Sequence, residues 1–388
     1  MKICIITSTR ADFGLLKNLI FKIQKNKNFI LKIIASGTHF SKKYGYTSDE
    51  IKESNIKIYR KIICKFNSDN PEGISQVISK CVIESSKIFK AFRPDLVIVL
   101  GDRYEILAST ISAHLCRIPV AHIHGGEVTH GVINDAFRHS ITKMSHVHFV
   151  ANAIYKKRLI QLGESPKNVH VVGGLGIDSI DKTNLITRNE LEKKFKFKFN
   201  KTNFLVNFHP ETLNKNLAEK QTRELLLALS ELKNTGLIFT MPGADLESEI
   251  IVKLIKKFTL KHKNAYFFKS LGQVNYFSFL NQIDGMVGNS SSGLLEMPYF
   301  KKGTINIGNR QSGRLFSKSV INIKIKKSKI IQAVKKLLSN NFQKSIKNDT
   351  NFYGNPGASD KIVKILKKIK VKKIINKKFF DINKIKKE

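Results

Sequence analysis

Residues 101–139 read GDRYEILASTISAHLCRIPVAHIHGGEVTHGVINDAFRH, and this stretch decides the fold of the chain. It holds two polar clusters, and each follows a short apolar run, at 96–100 and 120–123. Apolar runs of this length beside turn residues are typical of buried parallel strands. Ligands of open parallel sheets bind beyond the carboxyl ends of the strands. We therefore expect two neighbouring strands to deliver their polar residues to one crevice. These residues are Asp102, His122, His124 and Glu127.

The alternation of strand and helix continues on both sides of this stretch. Residues 2–7 predict a first strand, and Ser8 or Thr9 is placed to cap the helix that follows. A second series of strands and helices begins at residues 204–208. Strands that alternate with helices predict the α/β class, with a doubly wound parallel sheet in each half of the chain.

Glycines at 173–178 are interpreted as the crossing between two domains. The segment resembles a dinucleotide fingerprint only loosely, because Ser179 stands where the third glycine is required. We therefore expect no nicotinamide site there. A last helix is predicted near 359–369, and the lysine-rich tail at 371–388 is expected to be solvated.

Composition limits the classes of protein that the chain can belong to. Its 388 residues, 41% hydrophobic, suffice for two domains with sizeable cores. No apolar run approaches the roughly 20 residues that span a bilayer, and the N-terminus lacks the features of a signal peptide. The four cysteines lack metal-ligand spacing, and we interpret them as reduced residues of a cytosolic protein.

The net charge of +38 admits a nucleic-acid or membrane partner. However, lysine is abundant along the whole chain, and no aromatic residues interleave with the basic runs to stack on bases. We expect neither a nucleic-acid nor a membrane partner. A positive surface would attract a diphosphate substrate instead.

The second half offers residues that suit an anion. Ser290, Ser291 and Ser292 precede a predicted helix, where backbone N–H groups and the helix dipole favour phosphate. An ordinary helix cap is the alternative. Arg310 and Arg314 lie beyond the next predicted strand. There is no Walker-type run and no paired aspartate motif for a metal with a diphosphate, so we expect a metal-free site.

Together, the motifs resemble the hydrolysing UDP-N-acetylglucosamine 2-epimerases. The resemblance covers nearly the whole chain, with the motifs in the right order, and it continues through Asn309–Arg314 to residues 353–359. The ordered set is more specific than any single motif. The other motifs are Thr9-Arg10-Ala11-Asp12-Phe13-Gly14, Ser36-Gly37-Thr38-His39, Gly101-Asp102-Arg103-Tyr104-Glu105, His122-Ile123-His124-Gly125-Gly126-Glu127 and Gly288-Asn289-Ser290-Ser291-Ser292-Gly293.

The resemblance implies a GT-B fold, in which two Rossmann-like domains face each other across a central cleft. We place the N-terminal domain, with acid/base residues, at 1–172 and the C-terminal domain, which binds UDP, at 173–357. Residues 358–370 would then form a helix that returns to the first domain, ahead of the basic tail. The resemblance also implies a cytoplasmic homo-oligomer, a dimer or tetramer, that needs no cofactor.

The implied reaction converts UDP-N-acetylglucosamine and water to N-acetylmannosamine and UDP through a glycal, for sialic-type acid synthesis. Proton removal and return require positioned carboxylates or histidines, and cations ease the departure of UDP. The implied catalytic residues are Asp102, Glu127, Asp135 and His209. The implied substrate and UDP contacts are Arg10, Asp12, His39, Arg103, His124, Arg138, Ser290, Ser291, Ser292, Glu296, Arg310 and Arg314.

Three alternatives stay open at this point. A sister branch of the family acts on UDP-N,N′-diacetylbacillosamine and feeds legionaminic acid synthesis. A GT-B glycosyltransferase would share the fold and the nucleotide site, but it would require an acceptor sugar. A basic binding protein without enzymatic activity would bind RNA or DNA in a salt-dependent manner.

Overall fold

The computed structural model of the chain describes residues 1–42, 45–64, 70–213, 216–349 and 351–382. The chain divides into two compact units. Unit 1 comprises Met1–Glu127, Asn134–Ser179 and the described residues from Tyr353 onward. Unit 2 comprises Val128–Ile133 and Ile180–Phe352. Among the described residues, no helix combines the length and the apolarity that crossing a bilayer requires.

Unit 1 is built on a seven-stranded, all-parallel sheet with the strand order β3-β2-β1-β4-β5-β6-β7. Its strands are β1 Lys2–Thr7, β2 Ile30–Ala35, β3 Ile58–Lys61, β4 Leu96–Leu100, β5 Val120–Ile123, β6 Val147–Val150 and β7 Val169–Val171. Its helices are α1 Arg10–Gln24, α2 Ser48–Glu53, α3 Pro71–Phe92, α4 Tyr104–Leu115, α5 Asn134–Met144, α6 Ala153–Gln161, α15 Ala358–Leu366 and α16 Val371–Ile374, together with the first five residues of α7 Leu175–Asp181.

Unit 2 is built on a six-stranded, all-parallel sheet with the strand order β10-β9-β8-β11-β12-β13. Its strands are β8 Thr202–Asn207, β9 Thr235–Thr240, β10 Ala265–Phe268, β11 Gly285–Gly288, β12 Gly303–Ile307 and β13 Val320–Ile323. Its helices are α8 Arg188–Phe195, α9 Ala218–Leu229, α10 Ser248–Lys261, α11 Gln273–Gln282, α12 Ser292–Leu295, α13 Lys327–Leu338 and α14 Asn340–Ile346. The prediction of two doubly wound parallel sheets is therefore confirmed.

Each sheet reverses its strand order at one point, and this reversal locates the candidate site. In unit 1 the order reverses between β1 and β4, where Cys4 pairs with Val97. In unit 2 it reverses between β8 and β11, where Leu205 pairs with Met286. Ligands of such sheets bind at the carboxyl ends of the strands beside this reversal. The residues that follow these four strands are therefore the candidates for the site.

The strands are buried on both faces, as their apolar composition predicts. Ile3, Ile5 and Ile98 are fully buried in unit 1, and they pack with Leu16 and Ile20 of α1. Burying an aliphatic side chain of this size stabilises the fold by about 1.5–3 kcal/mol. These strands thus form a rigid base for the polar loops at their ends.

The final long helix, α15, packs on α1 within unit 1. Asp178 ties its start, since it accepts N–H bonds from Gly357 at 2.6 Å and from Ser359 at 3.0 Å. Asn18 of α1 donates to the same carboxylate at 2.8 Å. Residues 175–178 of the segment interpreted as the crossing therefore begin a short helix, α7, that holds the returning helix in place, and the chain passes into unit 2 after Ser179.

The C-terminal tail corrects a second prediction. It was expected to be solvated, but Lys377 donates to Glu164 at 2.7 Å, and the Phe380 N–H bonds to the Gly163 oxygen at 2.9 Å. An added Cβ on Gly163 would lie 2.3 Å from the Phe379 ring, so the aromatic side chain lies directly over this glycine. The tail up to these residues is docked on unit 1, while residues 383–388 lie outside the described part of the chain.

Candidate active site

Arg138 is the centre of an acidic cluster beyond the carboxyl ends of β4 and β5. Its side chain is only 2% exposed, and its guanidinium donates to the Asp102 carboxylate. Nη1 also donates to the Asp135 carboxylate at 3.1 Å and to the Glu127 peptide oxygen at 3.0 Å. A buried guanidinium requires such partners, and its planar fork fixes their geometry. The structure thus brings together the three acids and the arginine that the sequence singled out in this half.

The chain reverses sharply after β5, and the reversal pairs His124 with Glu127. His124 has a φ of 65° and Gly126 a φ of 79°. A left-handed backbone costs a residue other than glycine about 1–2 kcal/mol. The turn brings Glu127 Oε1 to 2.7 Å from His124 Nδ1, and both side chains are buried. Arg158 of α6 holds the turn by donating to the Gly126 oxygen at 2.5 Å.

His122 has a supporting role, although it lies two residues from His124. Its Nε2 contacts the Gly101 oxygen at 2.8 Å, and its Nδ1 contacts the Thr142 hydroxyl at 3.1 Å. Burial lowers the pKa of His122 to about 3, so the ring is neutral. A neutral ring that donates through Nε2 and accepts through Nδ1 satisfies both contacts. His122 therefore ties β5 to the end of β4 and to α5.

Asp12, the third residue of α1, closes the loop after β1 together with the N-cap residue Thr9. Its carboxylate accepts from the Ser8 N–H at 2.9 Å, from the Ser8 hydroxyl at 2.8 Å and from the Thr9 N–H at 3.1 Å. Thr9 returns the interaction, which completes a capping box. Thr9, one of the two predicted capping residues, is the N-cap, and Arg10 is the first residue of α1. The Arg10 side chain is half-buried at the start of this helix.

His39 lies in the loop after β2 and is fully buried. Its Nε2 contacts the Thr7 hydroxyl at 2.9 Å, and its Nδ1 contacts the Thr47 hydroxyl at 3.0 Å. Burial lowers the pKa of His39, although the nearby Asp12 charge opposes this effect. Both ring nitrogens are occupied by hydroxyl groups, so His39 links the loops of β1 and β2.

Arg103 follows β4 and is held by Glu105. The two side chains form a forked ion pair, with Nε at 3.0 Å from Oε2 and Nη2 at 3.3 Å from Oε1. Burial raises the pKa of Glu105, and the charge of Arg103 opposes that rise. The Arg103 guanidinium also lies 4.8 Å from the centre of the Tyr104 ring. These contacts fix the direction of Arg103 at the strand end.

In unit 2, His209 and Asn289 join the ends of β8 and β11. The His209 N–H donates to the Asn289 side-chain oxygen at 2.7 Å, and the Asn289 amide donates back to the His209 oxygen at 2.8 Å. The Gly243 N–H donates to His209 Nδ1 at 3.1 Å, which leaves the ring proton on Nε2. Burial, and then the charge of Arg310, hold the pKa of His209 well below its ordinary value. His209 is therefore a neutral donor at this edge.

The serine run follows β11, and Ser290 and Ser291 are half-buried. Ser292 is buried, and its hydroxyl accepts from the Tyr276 hydroxyl at 2.7 Å. The helix that follows, α12, is only four residues long. The sequence predicted that a helix dipole would favour an anion here, but so short a helix contributes little of one. Glu296 is buried directly after it.

A loop after β12 places the two predicted arginines of unit 2. Arg310 Nη1 donates to the Asn289 oxygen at 3.1 Å, and Gln311 donates to the same oxygen at 2.8 Å. Arg310 Nη2 lies 3.9 Å from the Asp245 carboxylate. Arg314 lies four residues further on and is half-buried. Arg310 therefore joins His209 and Asn289 in one cluster at this edge of the unit 2 sheet.

The short segment Val128–Ile133 follows Glu127 directly but belongs to unit 2. The His130 N–H donates to the Ser312 oxygen at 2.9 Å, and the Ile133 N–H donates to the Thr212 hydroxyl at 3.1 Å. A Cβ on Gly131 would lie 2.8 Å from the Arg310 Cα, so glycine permits this close approach. The segment is packed against the arginine loop.

His122 and His124 also admit a zinc site as an alternative interpretation of the sequence. Within the described ranges, no group of three or more His, Cys, Asp or Glu side chains is arranged to hold a metal ion. The contacts of the two histidines, given above, are to protein groups of unit 1.

A model of the UDP-N-acetylglucosamine 2-epimerase family matches residues 21–367 of the chain. The chain belongs to this family. A Campylobacter jejuni protein named GDP/UDP-N,N′-diacetylbacillosamine 2-epimerase (hydrolyzing) is 41% identical over 98% of this chain and 99% of its own length. The polysialic acid biosynthesis protein P7 of Escherichia coli is 37% identical over 98% of this chain and 97% of its own length.

Solved structures of other proteins share the fold of this epimerase-family chain. A UDP-N-acetylglucosamine 2-epimerase from Neisseria meningitidis, bound to UDP-N-acetylglucosamine, has a TM-score of 0.82 at 18% identity, covering 95% of this chain and 100% of that chain. A Staphylococcus aureus protein solved with UDP has a TM-score of 0.80 at 17% identity, covering 98% of this chain and 100% of that chain. The GT-B fold class that the sequence predicted is confirmed.

Sequence reasoning missed several residues that shape the two edges of this family member. Arg158, Asn289 and Gln311 bond to backbone oxygens of the site loops, and Asp245 faces Arg310. Asn289 and Gln311 stand inside the quoted motifs, so their position was a usable signal. Arg158 and Asp245 lie in ordinary helical and loop patterns, and only the fold reveals their contacts.

Proposed function

We propose that this protein is a hydrolysing 2-epimerase, which converts a UDP-linked 2-acetamido sugar and water to the free 2-epimeric sugar and UDP. The observation that carries the proposal is the Arg138 cluster, which gathers Asp102, Asp135 and the Glu127 loop at the strand ends. Relatives that match almost the full length of the chain carry the name of this reaction and support the proposal.

The proposed chemistry has two stages. First, a base removes the C2 proton, the electron pair of that bond forms the C1–C2 double bond, and UDP departs with the electrons of the C1–O bond. Water then adds its hydroxyl group to C1 while an acid returns a proton to the opposite face of C2. Both stages require groups that exchange protons, and the departure of UDP requires groups that receive negative charge.

We assign these tasks to the two units by their chemistry. The acid/base residues are Asp102, Glu127 and Asp135 of unit 1, with Arg138 holding them. His209, through its Nε2 proton, and Arg310, Arg314, Ser290, Ser291, Ser292 and Glu296 of unit 2 bind the UDP moiety. Arg10 and Arg103 are further contacts for the diphosphate. Asp12 and His39 are assigned to holding their loops, because protein groups already occupy their polar atoms.

The second part of the proposal is the identity of the sugar that UDP carries. The sequence placed UDP-N-acetylglucosamine first, and a Neisseria meningitidis UDP-N-acetylglucosamine 2-epimerase, 32% identical over 87% of the chain, supports it. Two relatives named for the diacetylbacillosamine sugar are 41% and 31% identical over nearly the whole chain. The higher identity leads us to propose UDP-N,N′-diacetylbacillosamine as the better substrate and UDP-N-acetylglucosamine as the second candidate.

A proton NMR time course with each UDP-sugar tests both the proposed reaction and the proposed sugar. We expect UDP and a free 2-epimeric sugar to appear together in water, faster from the diacetylbacillosamine substrate. A GDP-linked sugar belongs in the comparison, because the name of the Campylobacter relative includes GDP. Release of UDP only after an acceptor sugar is added would indicate a glycosyltransferase. No consumption of any nucleotide sugar would overturn the proposed function.

A further inference from the structure

Among the described residues, His124 is the histidine that combines the following three properties. Its backbone is in the left-handed region, with a φ of 65°. Its side chain is more than nine-tenths buried. Its Nε2 has no hydrogen-bond partner among the residues that the structure describes. A buried polar atom without a partner destabilises a fold, so a ligand that supplies the partner would explain it.

Glu127 determines which ring nitrogen of His124 carries the proton and which carries the lone pair. The ionised carboxylate can only accept, so the 2.7 Å contact requires a proton on His124 Nδ1. In the neutral ring, Nε2 then carries the lone pair. A carboxylate that orients an imidazole in this way also stabilises the positive charge that develops when Nε2 takes a proton.

The neighbouring acids are already paired. Asp102 and Asp135 each bond to the Arg138 guanidinium, which places a positive charge directly against both carboxylates. Arg138 also holds the Glu127 peptide oxygen, and this fixes the loop from which Glu127 reaches His124. The carboxylates of Asp102 and Asp135 thus lie beside a positive charge, whereas the imidazole of His124 presents the lone pair of Nε2.

We propose that His124 and Glu127 form a dyad in which His124 Nε2 removes the C2 proton of the bound sugar while Glu127 orients the ring. This inference rests on the proposed function and refines it, because it makes Glu127 a positioning residue and His124 the catalytic base. The C2–H bond breaks, the proton moves to Nε2, and the electron pair forms the C1–C2 double bond as UDP departs. Because C2 inverts, a different group returns the proton, and the imidazolium releases its own to solvent.

A double-mutant cycle tests the dyad. The first variant is His124→Asn, because asparagine tolerates a left-handed backbone and cannot act as a base. The second is Glu127→Gln, whose amide oxygen can still accept from Nδ1 but carries no charge. We expect kcat to fall about 1000-fold for His124→Asn and about 100-fold for Glu127→Gln, each with a KM within a few-fold of wild type. The double variant should be no slower than His124→Asn alone, because the carboxylate acts only through the ring.

Two outcomes would overturn the dyad. If Glu127→Gln is as slow as the double variant while His124→Asn retains a tenth of the activity, Glu127 is itself the base. If the two effects multiply, the residues act independently. A wild-type protein that hydrolyses no nucleotide sugar refutes the proposed function instead, so the two failures are distinguishable.

Isotope and folding controls complete the test. A substrate deuterated at C2 should show a larger kinetic isotope effect on kcat with His124→Asn than with wild type, since proton removal becomes slower than product release. An unchanged isotope effect would contradict the assignment. UDP affinity by calorimetry and the melting temperature should match wild type, and His124→Gln serves as a second variant if His124→Asn folds poorly.

Discussion

Unit 1 contains two buried histidine–glutamate pairs of nearly the same dimensions. The His124–Glu127 pair has a nitrogen–oxygen distance of 2.7 Å, and the His148–Glu164 pair has one of 2.8 Å. All four side chains are more than nine-tenths buried. The composition and the spacing of a pair therefore do not reveal its role.

The surroundings of the two pairs differ. His148 lies within β6, and Glu164 also accepts from Lys143 at 2.9 Å and from Lys377 at 2.7 Å. Lys377 further donates to the Lys143 and Ser145 oxygens at the end of α5, each at 2.7 Å. This pair is part of a clamp that holds the C-terminal tail. His124, in contrast, lies past the end of β5 on a left-handed backbone. Position at the edge of the sheet and backbone strain thus distinguish the His124–Glu127 pair, which we assign to the reaction, from the His148–Glu164 pair, which stabilises the fold.

The largest expected effect is a loss of turnover when Asp102 is changed, because Asp102 shares Arg138 with the loop that carries Glu127. Asp102→Asn should lower kcat about 1000-fold and leave UDP affinity within two-fold, because it removes the carboxylate that pairs with Arg138 but no group of unit 2. Steady-state kinetics and calorimetry measure the two quantities. Asp360→Asn, at an exposed acid of α15, is the matched control and should behave like wild type. Unchanged turnover in Asp102→Asn would remove Asp102 from the catalytic residues.

For the His148–Glu164 pair, we expect a substitution to affect stability rather than turnover. Glu164→Gln leaves Lys377 and Lys143 without their buried carboxylate, and breaking such a pair costs about 3–5 kcal/mol. Urea unfolding should show this loss, while the folded fraction retains the kcat of wild type. A stable but inactive Glu164→Gln variant would contradict the division of roles between the two pairs.

The same clamp predicts a pH dependence of stability. Burial raises the pKa of Glu164, but the bonds and charges of His148 and Lys377 outweigh burial and lower the pKa to about 2. Burial also lowers the pKa of His148, against the charge of Glu164. A lowered folded pKa means that the unfolded chain binds more protons, so stability falls as the pH falls. The difference in unfolding free energy between wild type and Glu164→Gln should therefore shrink as the pH falls from about 4.5 to about 2, the range in which Glu164 takes up its proton, since both proteins retain His148. A constant difference across this window would contradict the assignment.

The smallest expected effect concerns the tail itself. Lys377→Met removes the bonds to the end of α5 and to Glu164, and we expect a loss of about 1–2 kcal/mol in unfolding free energy. Its neighbour Lys378 is exposed, and Lys378→Met is the matched control. Thermal unfolding of the two variants measures the difference. Equal melting temperatures would show that the tail does not depend on the clamp.

Much of the sheet could be predicted from the sequence, because buried parallel strands are short apolar runs. β1, β4 and β5 have the predicted bounds. The first turns of α1 and α5 are polar, and their residues cap or pair rather than pack, so apolar periodicity alone does not mark where these helices begin. The sequence analysis did not identify α13 or β13, which lie in a stretch where lysine and isoleucine alternate without turn signals.

The sequence identified the residues of the candidate site but not the contacts between them. Asp102, Glu127, Asp135 and Arg138 were all named from motifs. That Arg138 joins them depends on the order of the strands and on the start of α5 at Asn134. The His124 conformation likewise depends on the reversal at the two glycines that follow, which the sequence marks only as a turn.

The central claim is that the C1–O bond of a UDP-sugar breaks by elimination across C1 and C2. Hydrolysis of the preferred UDP-sugar in water enriched in both ¹⁸O and deuterium tests this claim most directly, with mass spectrometry and NMR of the products. The account predicts ¹⁸O on C1 of the free sugar, deuterium at C2 and unlabelled UDP. ¹⁸O in the β-phosphate of UDP, or a C2 proton retained from the substrate, would contradict the account.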